Sequence, residues 1–283
     1  MNIATLKSQS TPKQNAYTQL TIQHEEEYGL AWYHMHAMPR PCFTPVLLDE
    51  IRASLDEMDL SAKHGDVQYL VLASDVPNVF NFGGDLSLFV QFIRNQNREG
   101  LLHYAMACVE VLYRNCNGFG KNIATLSLVQ GDALGGGFEA AISSDVLIAE
   151  RSAKMGFPEI LFNLFPGMGA YSFLSRKIGA KQAEKMILGG CLYSAEELYN
   201  MGVVDILAED GQGEMAVYDY IEKESKRQNG VRSFRAAQKC CNPVTYKELT
   251  DITEVWVDAA LRLKERNLRM MERLVKRQSA NAK

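Results

Sequence analysis

Two glutamates stand among residues where a carboxylate is costly. Glu139 lies in Gly137-Phe138-Glu139-Ala140-Ala141-Ile142, and Glu159 lies in Phe157-Pro158-Glu159-Ile160-Leu161-Phe162. Burying a charge costs several kcal/mol unless the group is paired or working. A helix start or an exposed position accounts for either glutamate alone. Two of them beside glycine-rich turns read as a general acid and a general base.

The turns are Phe82-Gly83-Gly84-Asp85 and Leu134-Gly135-Gly136-Gly137, each after an apolar stretch and each before a helical one. Such turns leave backbone N–H groups bare, and a helix start adds its dipole. Two that converge could therefore hold one oxygen that gains negative charge. A single turn of this kind is read as tight bending or close packing, which glycine also permits.

Gly135-x-Gly137-x-x-Ala140, with Glu159 downstream, also has the form of a dinucleotide fingerprint. That fingerprint needs its first glycine at the strand end, whereas Gln130 to Leu134 intervene here and the following helix is too short for a regular βαβ unit.

These residues need a scaffold. Apolar and polar residues alternate from Gln19 to His24 and from Leu30 to His36 around Tyr28-Gly29, the pattern of a hairpin or two neighbouring strands. Helical period marks Pro45 to Asp59. The apolar runs Val67–Ala73, Ile123–Val129 and Val146–Ala149 read as buried parallel strands. Asp85 could cap a helix from Leu86 to Ile93, and a second runs from Leu101 to Asn115. Strand and helix in alternation predict an α/β domain. Beyond it come helices at Ala170–Ile178 and Lys181–Leu188, a capping box at Ser194-Ala195-Glu196-Glu197, and a last strand at Val203–Leu207. From Gly213 to Lys276 only helical patterns occur, with Leu249, Ile252, Trp256, Ala259 or Ala260, Leu263, Met270 and Leu274 in helical spacing as an amphipathic cover or an oligomer contact.

The 283 residues are 47% hydrophobic and 23% charged, which excludes disordered, collagenous and coiled-coil classes. A net charge of −4 gives no basic field for nucleic acid or an anionic membrane. Six cysteines without a C-x-x-C pair, and no recurring histidine spacing, predict reduced, mostly packed thiols and no metal site. All five histidines lie at or before His103, so imidazole chemistry would have to draw on that part of the chain. The polar opening lacks the apolar core of a signal peptide, and no run reaches the roughly 18 apolar residues of a membrane span, so a cytoplasmic location is expected.

Phe80-x-x-Gly83-Gly84-Asp85-Leu86, Gly131-x-Ala133-Leu134-Gly135-Gly136-Gly137-x-Glu139, Pro158-Glu159 and Pro166-Gly167-Met168-Gly169-Ala170 together resemble, in order and spacing, the motifs of the crotonase (enoyl-CoA hydratase/isomerase) superfamily. The resemblance is closest to the diffusible-signal-factor synthases of bacterial quorum sensing. It rests there on the 79–86 segment, on Phe165 to Phe173, and on Ile252-Thr253-Glu254-Val255-Trp256-Val257-Asp258.

The fold so implied is the crotonase spiral of ββα repeats with appended C-terminal helices. Residues 1–17 would be a mobile arm, 18–210 the spiral core and 211–283 the helical region. Glu139 and Glu159 fall on the catalytic glutamates, and Gly84 and Gly136 on the oxyanion-hole donors, with Gly83 as the alternative for the first. The resemblance implies dehydration of a 3-hydroxyacyl thioester on acyl carrier protein, or on coenzyme A, followed by hydrolysis to a free cis-2-enoic acid. It also implies no cofactor, a homotrimer or dimer of trimers, and room for a signal-sensing regulatory protein. Which glutamate is acid and which is base stays open. A plain enoyl-CoA hydratase and a non-catalytic binding protein on the same fold are the alternatives; retention of both glutamates speaks against the second. Gly167 to Phe173 is bulkier than the corresponding hydratase segment, which argues against short-chain β-oxidation.

Phe157, Ile160, Leu161, Phe162, Leu164, Phe165 and Met168 could line an acyl tunnel or simply pack the core. Lys264, Arg266, Arg269, Arg273, Lys276 and Arg277 make the last helix basic, interrupted by Glu265 and Glu272. That face suits either an acidic carrier protein or water.

Overall fold

The computed structural model describes residues 17–60, 67–120 and 123–281. The arm expected at 1–17 therefore lies almost wholly outside the described residues, and so does His64.

The chain enters through an antiparallel pair, β1 (Leu20–Glu25) and β2 (Leu30–Met35), joined by a single 3₁₀ turn that closes on left-handed Gly29. Helix α1 (Pro45–Leu60) follows. From here each turn of the chain lays down one long strand, one short strand and a helix. The first repeat is β3 (Tyr69–Ser74), β4 (Val79–Asn81), α2 (Leu86–Arg94) and α3 (Arg98–Cys116). The second is β5 (Ala124–Val129), β6 (Asp132–Leu134) and α4 (Gly136–Ser143). The third is β7 (Val146–Glu150), β8 (Lys154–Gly156), α5 (Ala170–Ile178) and α6 (Ala180–Gly189).

Long and short strands sort into separate sheets, the three-residue β10 at the edge of the long-strand sheet excepted. Six strands run in the order β1-β2-β3-β5-β7-β10, parallel from β2 onward, with β10 at Ile206–Ala208. The short strands form β4-β6-β8-β9, with β9 at Leu192–Ser194 the one antiparallel member. Strands β5 and β7 are buried at every position, which explains their largely apolar composition, Thr125, Ser127 and Glu150 being their polar members.

Local signals read in the sequence recur in place. Asp85 caps α2 by accepting from the N–H groups of Ser87 and Leu88. Ser194 and Glu197 form the capping box that starts α7 (Ala195–Asn200). Helix α3 begins at Arg98 rather than Leu101, because the Asn97 side chain accepts from Gly100 N–H and caps it earlier. The strand expected at Val203–Leu207 is shifted: Val203 and Val204 are buried in the turn that precedes β10.

After β10 come α8 (Gly213–Ser225), α9 (Gln228–Cys241), α10 (Tyr246–Leu261) and α11 (Glu265–Asn281). Helix α8 covers one face of the six-stranded sheet with Val217 and Ile221. Helices α10 and α11 return to the main core on the other side, where Trp256 packs edge-on against Phe89. The helical spacing read as continuous is broken between them, so the buried seam of α11 runs through Leu268 and Met271 instead of Met270. Bidentate bonds from Arg176 to Glu248 and from Arg94 to Glu265, with a further bond from Arg94 to Glu272, tie α10 to α5 and α11 to α2. Arg277, named with the basic face, has a side chain outside the described residues.

Candidate active site

The two glycine turns meet. A side chain on Gly83, whose φ is +86°, would stand 2.6 Å from the amide nitrogen of Gly136. One on Gly136 would lie 3.3 Å from both the Gly83 Cα and the Gly84 nitrogen. Only glycines let the chains approach this closely.

Each turn is braced from behind. The Asn81 side-chain oxygen, fully buried, accepts from Gly83 N–H at 2.7 Å, and Phe43 N–H donates to Gly83 O at 2.8 Å. Tyr104 lies beneath: its hydroxyl accepts from Asp85 N–H at 3.1 Å and donates to the carbonyl of Phe43. Gly135 N–H donates to Gly156 O at 2.9 Å. Among the described residues, the N–H groups of Gly84 and Gly136 have no acceptor. Gly136 opens α4, so its N–H also carries the positive end of that helix. Gly83 does not serve as an alternative donor, because Asn81 occupies its N–H.

Glu139 sits on the first turn of α4 and is only 2% exposed. One of its oxygens accepts from Met168 N–H at 2.8 Å and from Ala170 N–H at 2.9 Å. The loop that supplies those donors is held by α10: Thr253 donates to Gly167 O, and Gly167 lies against Trp256 so closely that any side chain would overlap it. Burial pushes the Glu139 carboxyl up to about 7, against the three backbone N–H groups that pull it down.

Glu159 begins the 3₁₀ turn Glu159–Phe162 and reaches back over Gly135. Its Oε2 is buried with no hydrogen-bond partner among the described residues. Burial, and then the nearby Glu139, push it up to about 8. A buried carboxyl oxygen without a partner is a costly feature that a folded chain keeps chiefly where it is used.

Both glutamates, Gly84 and Gly136 face one cavity of about 320 Å³. Of the seven expected tunnel residues, Leu161, Phe162, Leu164 and Met168 line it. Phe157 instead stacks on Phe138 in the core, Ile160 packs against Gly190, and Phe165 packs on the main core. Met168 contributes twice, through its side chain and through the N–H that holds Glu139. Sequence reasoning did not place Phe89, Trp256 and Leu274 in the wall, because α2, α10 and α11 reach it from distant parts of the chain. Among the described residues no histidine lines the cavity: His34 pairs with Asp75, and His36 with Thr21. Among the described residues no group of three or more His, Cys, Asp or Glu is placed to hold a metal, and no helix is long and apolar enough to cross a membrane.

Residues 27–245 match the enoyl-CoA hydratase/isomerase family. The chain belongs to that family. It is 30% identical over 183 residues to the fatty acid oxidation complex subunit alpha of Pseudomonas savastanoi, a match that spans 64% of this chain but only 24% of that subunit. It is 27% identical over 176 residues to a probable enoyl-CoA hydratase of Bacillus subtilis, covering 62% of this chain and 64% of that one. Among solved structures, the fold is shared with human mitochondrial delta3-delta2-enoyl-CoA isomerase, with TM-score 0.77, 18% identity, and 93% and 99% of the two chains covered. It is shared also with Pseudomonas aeruginosa DspI, with TM-score 0.66, 21% identity, and 94% and 98% covered. At such identities these two establish the crotonase fold alone.

Proposed function

We propose that this crotonase-family chain removes water from a 3-hydroxyacyl thioester on acyl carrier protein and then hydrolyses the thioester, releasing a cis-2-unsaturated fatty acid. The observation that carries this reading is the pair itself: two buried carboxyls in one cavity, both raised toward neutrality, beside two unengaged N–H donors.

In this scheme the thioester carbonyl sits between the N–H groups of Gly84 and Gly136, which stabilise the enolate that forms when C2 loses its proton. One glutamate takes that proton while the other gives a proton to the departing 3-hydroxyl. The pair must therefore start with one proton between its members, and it ends with one proton on the opposite member. Raised affinities that differ only modestly allow this singly protonated state near neutral pH. In the second step a glutamate-activated water adds to the same carbonyl, the hole holds the tetrahedral oxyanion, and the carrier thiol leaves with a proton. All the groups belong to the chain, so the scheme calls on no cofactor. The expected assembly is a homotrimer or dimer of trimers.

A plain enoyl-CoA hydratase is the second reading, favoured by the names of the relatives. Mass spectrometry of the extract after incubation with 3-hydroxydodecanoyl acyl carrier protein separates the two. Free cis-2-dodecenoic acid from the wild type, and none from Glu139→Gln, supports the proposal. An enoyl thioester that stays attached leaves the hydratase, and no turnover of any thioester removes both.

A further inference from the structure

Among the described residues, three ionisable side chains line the cavity: Glu139, Glu159 and Asp132. The third has no part in the chemistry above. Asp132 starts β6, and the register of the short-strand sheet fixes where it points. Leu134 pairs with Gly156 and Gly156 with Leu192, so these three share one face of the sheet, and Leu134 and Leu192 both line the cavity. Asp132 is two residues before Leu134 and so shares that face, whereas Ala133 between them is fully buried on the other.

Asp132 is part-buried, and among the described residues it forms no ion pair. Lys154, alongside on β8, contributes a backbone N–H and a more distant charge. A carboxylate held on one side and open on the other has acceptor capacity to spare.

The cavity has a closed end and an open end. Phe89, Met168 and Trp256 are buried, whereas Leu161 and Leu192 at the rim are 54% and 46% exposed. An acyl chain belongs at the apolar closed end, so the thiol arm leaves past the rim and the face that carries Asp132. At about 3.3 Å per strand residue, the four-residue step from Asp132 to Gly136 spans up to roughly 13 Å. A pantetheine arm places its two amide nitrogens four and eight bonds from the thioester carbonyl carbon, a reach of roughly 6 and 12 Å at about 1.5 Å per bond.

We propose that Asp132 is a specificity residue that accepts a hydrogen bond from an amide N–H of the pantetheine arm. This rests on the thioester reading of the site. It adds a reason for the site to prefer an amide-bearing thiol over a simple alkyl thiol of equal acyl length. The open carboxylate oxygen, once freed of water, would be left unpaired by a substrate without that N–H.

The test uses S-dodecyl pantetheine and two analogues in which an ester oxygen replaces one amide N–H or the other. Affinity is read from the fluorescence of Trp256 in the cavity wall, so the readout does not depend on turnover. The wild type should bind one of the two analogues about tenfold more weakly than the amide compound, and Asp132→Ala should bring that ratio close to one. Asp132→Asn, which keeps the shape and one acceptor, should retain part of the ratio. Equal binding of all three compounds by the wild type, or a ratio that survives in Asp132→Ala, overturns the proposal. A merely structural role lowers all affinities together and leaves the ratio unchanged. Loss of the ratio in a protein that turns over no thioester would refute the proposed reaction and keep this assignment.

Discussion

The carboxyl group of Glu159 occupies the space that a side chain on Gly135 would fill. The glycine turn therefore does two things at once: it opens α4 with a free N–H at Gly136, and it seats the second glutamate. Gly135 also has φ +53°, a conformation that L side chains rarely adopt. Gly135→Ala should lower kcat about a hundredfold or more by displacing Glu159, while Glu139 keeps its two backbone donors. Steady-state kinetics on a 3-hydroxyacyl thioester, with circular dichroism to verify the fold, measures this. Near-normal kcat would show that Glu159 is not needed where it stands.

The glutamate pair predicts a pH profile. Below both values the two carboxyls are protonated and no base remains; above both, no acid remains. Activity should be bell-shaped and narrow, centred between about 7 and 8. A kcat that stays flat from pH 6 to roughly pH 9 would contradict the shared proton.

The same groups predict a stability trend of definite sign. Carboxyls raised in the folded protein bind more protons there than in the unfolded chain, so their contribution is fully present at low pH and is lost as pH rises through the folded values. Glu159→Gln removes that loss. The melting temperature of the variant, measured against the wild type, should gain several degrees between pH 5 and about pH 9. A difference that does not change with pH would place the carboxyl in a wetter setting than the structure shows.

Tyr104 bridges Asp85 N–H and Phe43 O directly behind Gly84. Tyr104→Phe leaves both backbone groups buried without a partner, at a cost of about 1–3 kcal/mol. We expect kcat to fall about tenfold with KM little changed, as the Gly84 N–H loses its aim. Lost stability with kcat intact would confine Tyr104 to the fold.

Chain length is expected to be read at the closed end. Leu164 is buried in the cavity wall, whereas Leu161 lies at the open rim. Leu164→Trp should shift preference toward shorter acyl chains, and Leu161→Trp should alter affinity without moving the length optimum. Competition among thioesters of graded length checks both; an equal shift from both variants would remove the distinction.

The sequence by itself determined the reacting types. Two carboxylates among apolar neighbours and two strand–glycine–helix turns are local patterns, and so are the caps at Asp85 and Ser194, because hydrogen bonds within four residues fix each of them. The long strands were legible because burial on both faces selects largely apolar residues, even where β5 keeps Thr125 and Ser127. The short strands β4, β6, β8 and β9 have three residues each, too few for any period, and exist because the neighbouring strand completes their hydrogen bonds. Only the tertiary structure decided that Gly83 gives its N–H to Asn81, leaving Gly84 free. Only it decided that Glu139 is held by the 168–170 loop while Glu159 keeps an oxygen unpaired. The cavity wall was equally out of reach, since Phe89, Trp256 and Leu274 meet there from three helices far apart in the chain. Side chains that close a cavity over long sequence separations leave no periodic mark, so which of them form the wall is settled by packing alone.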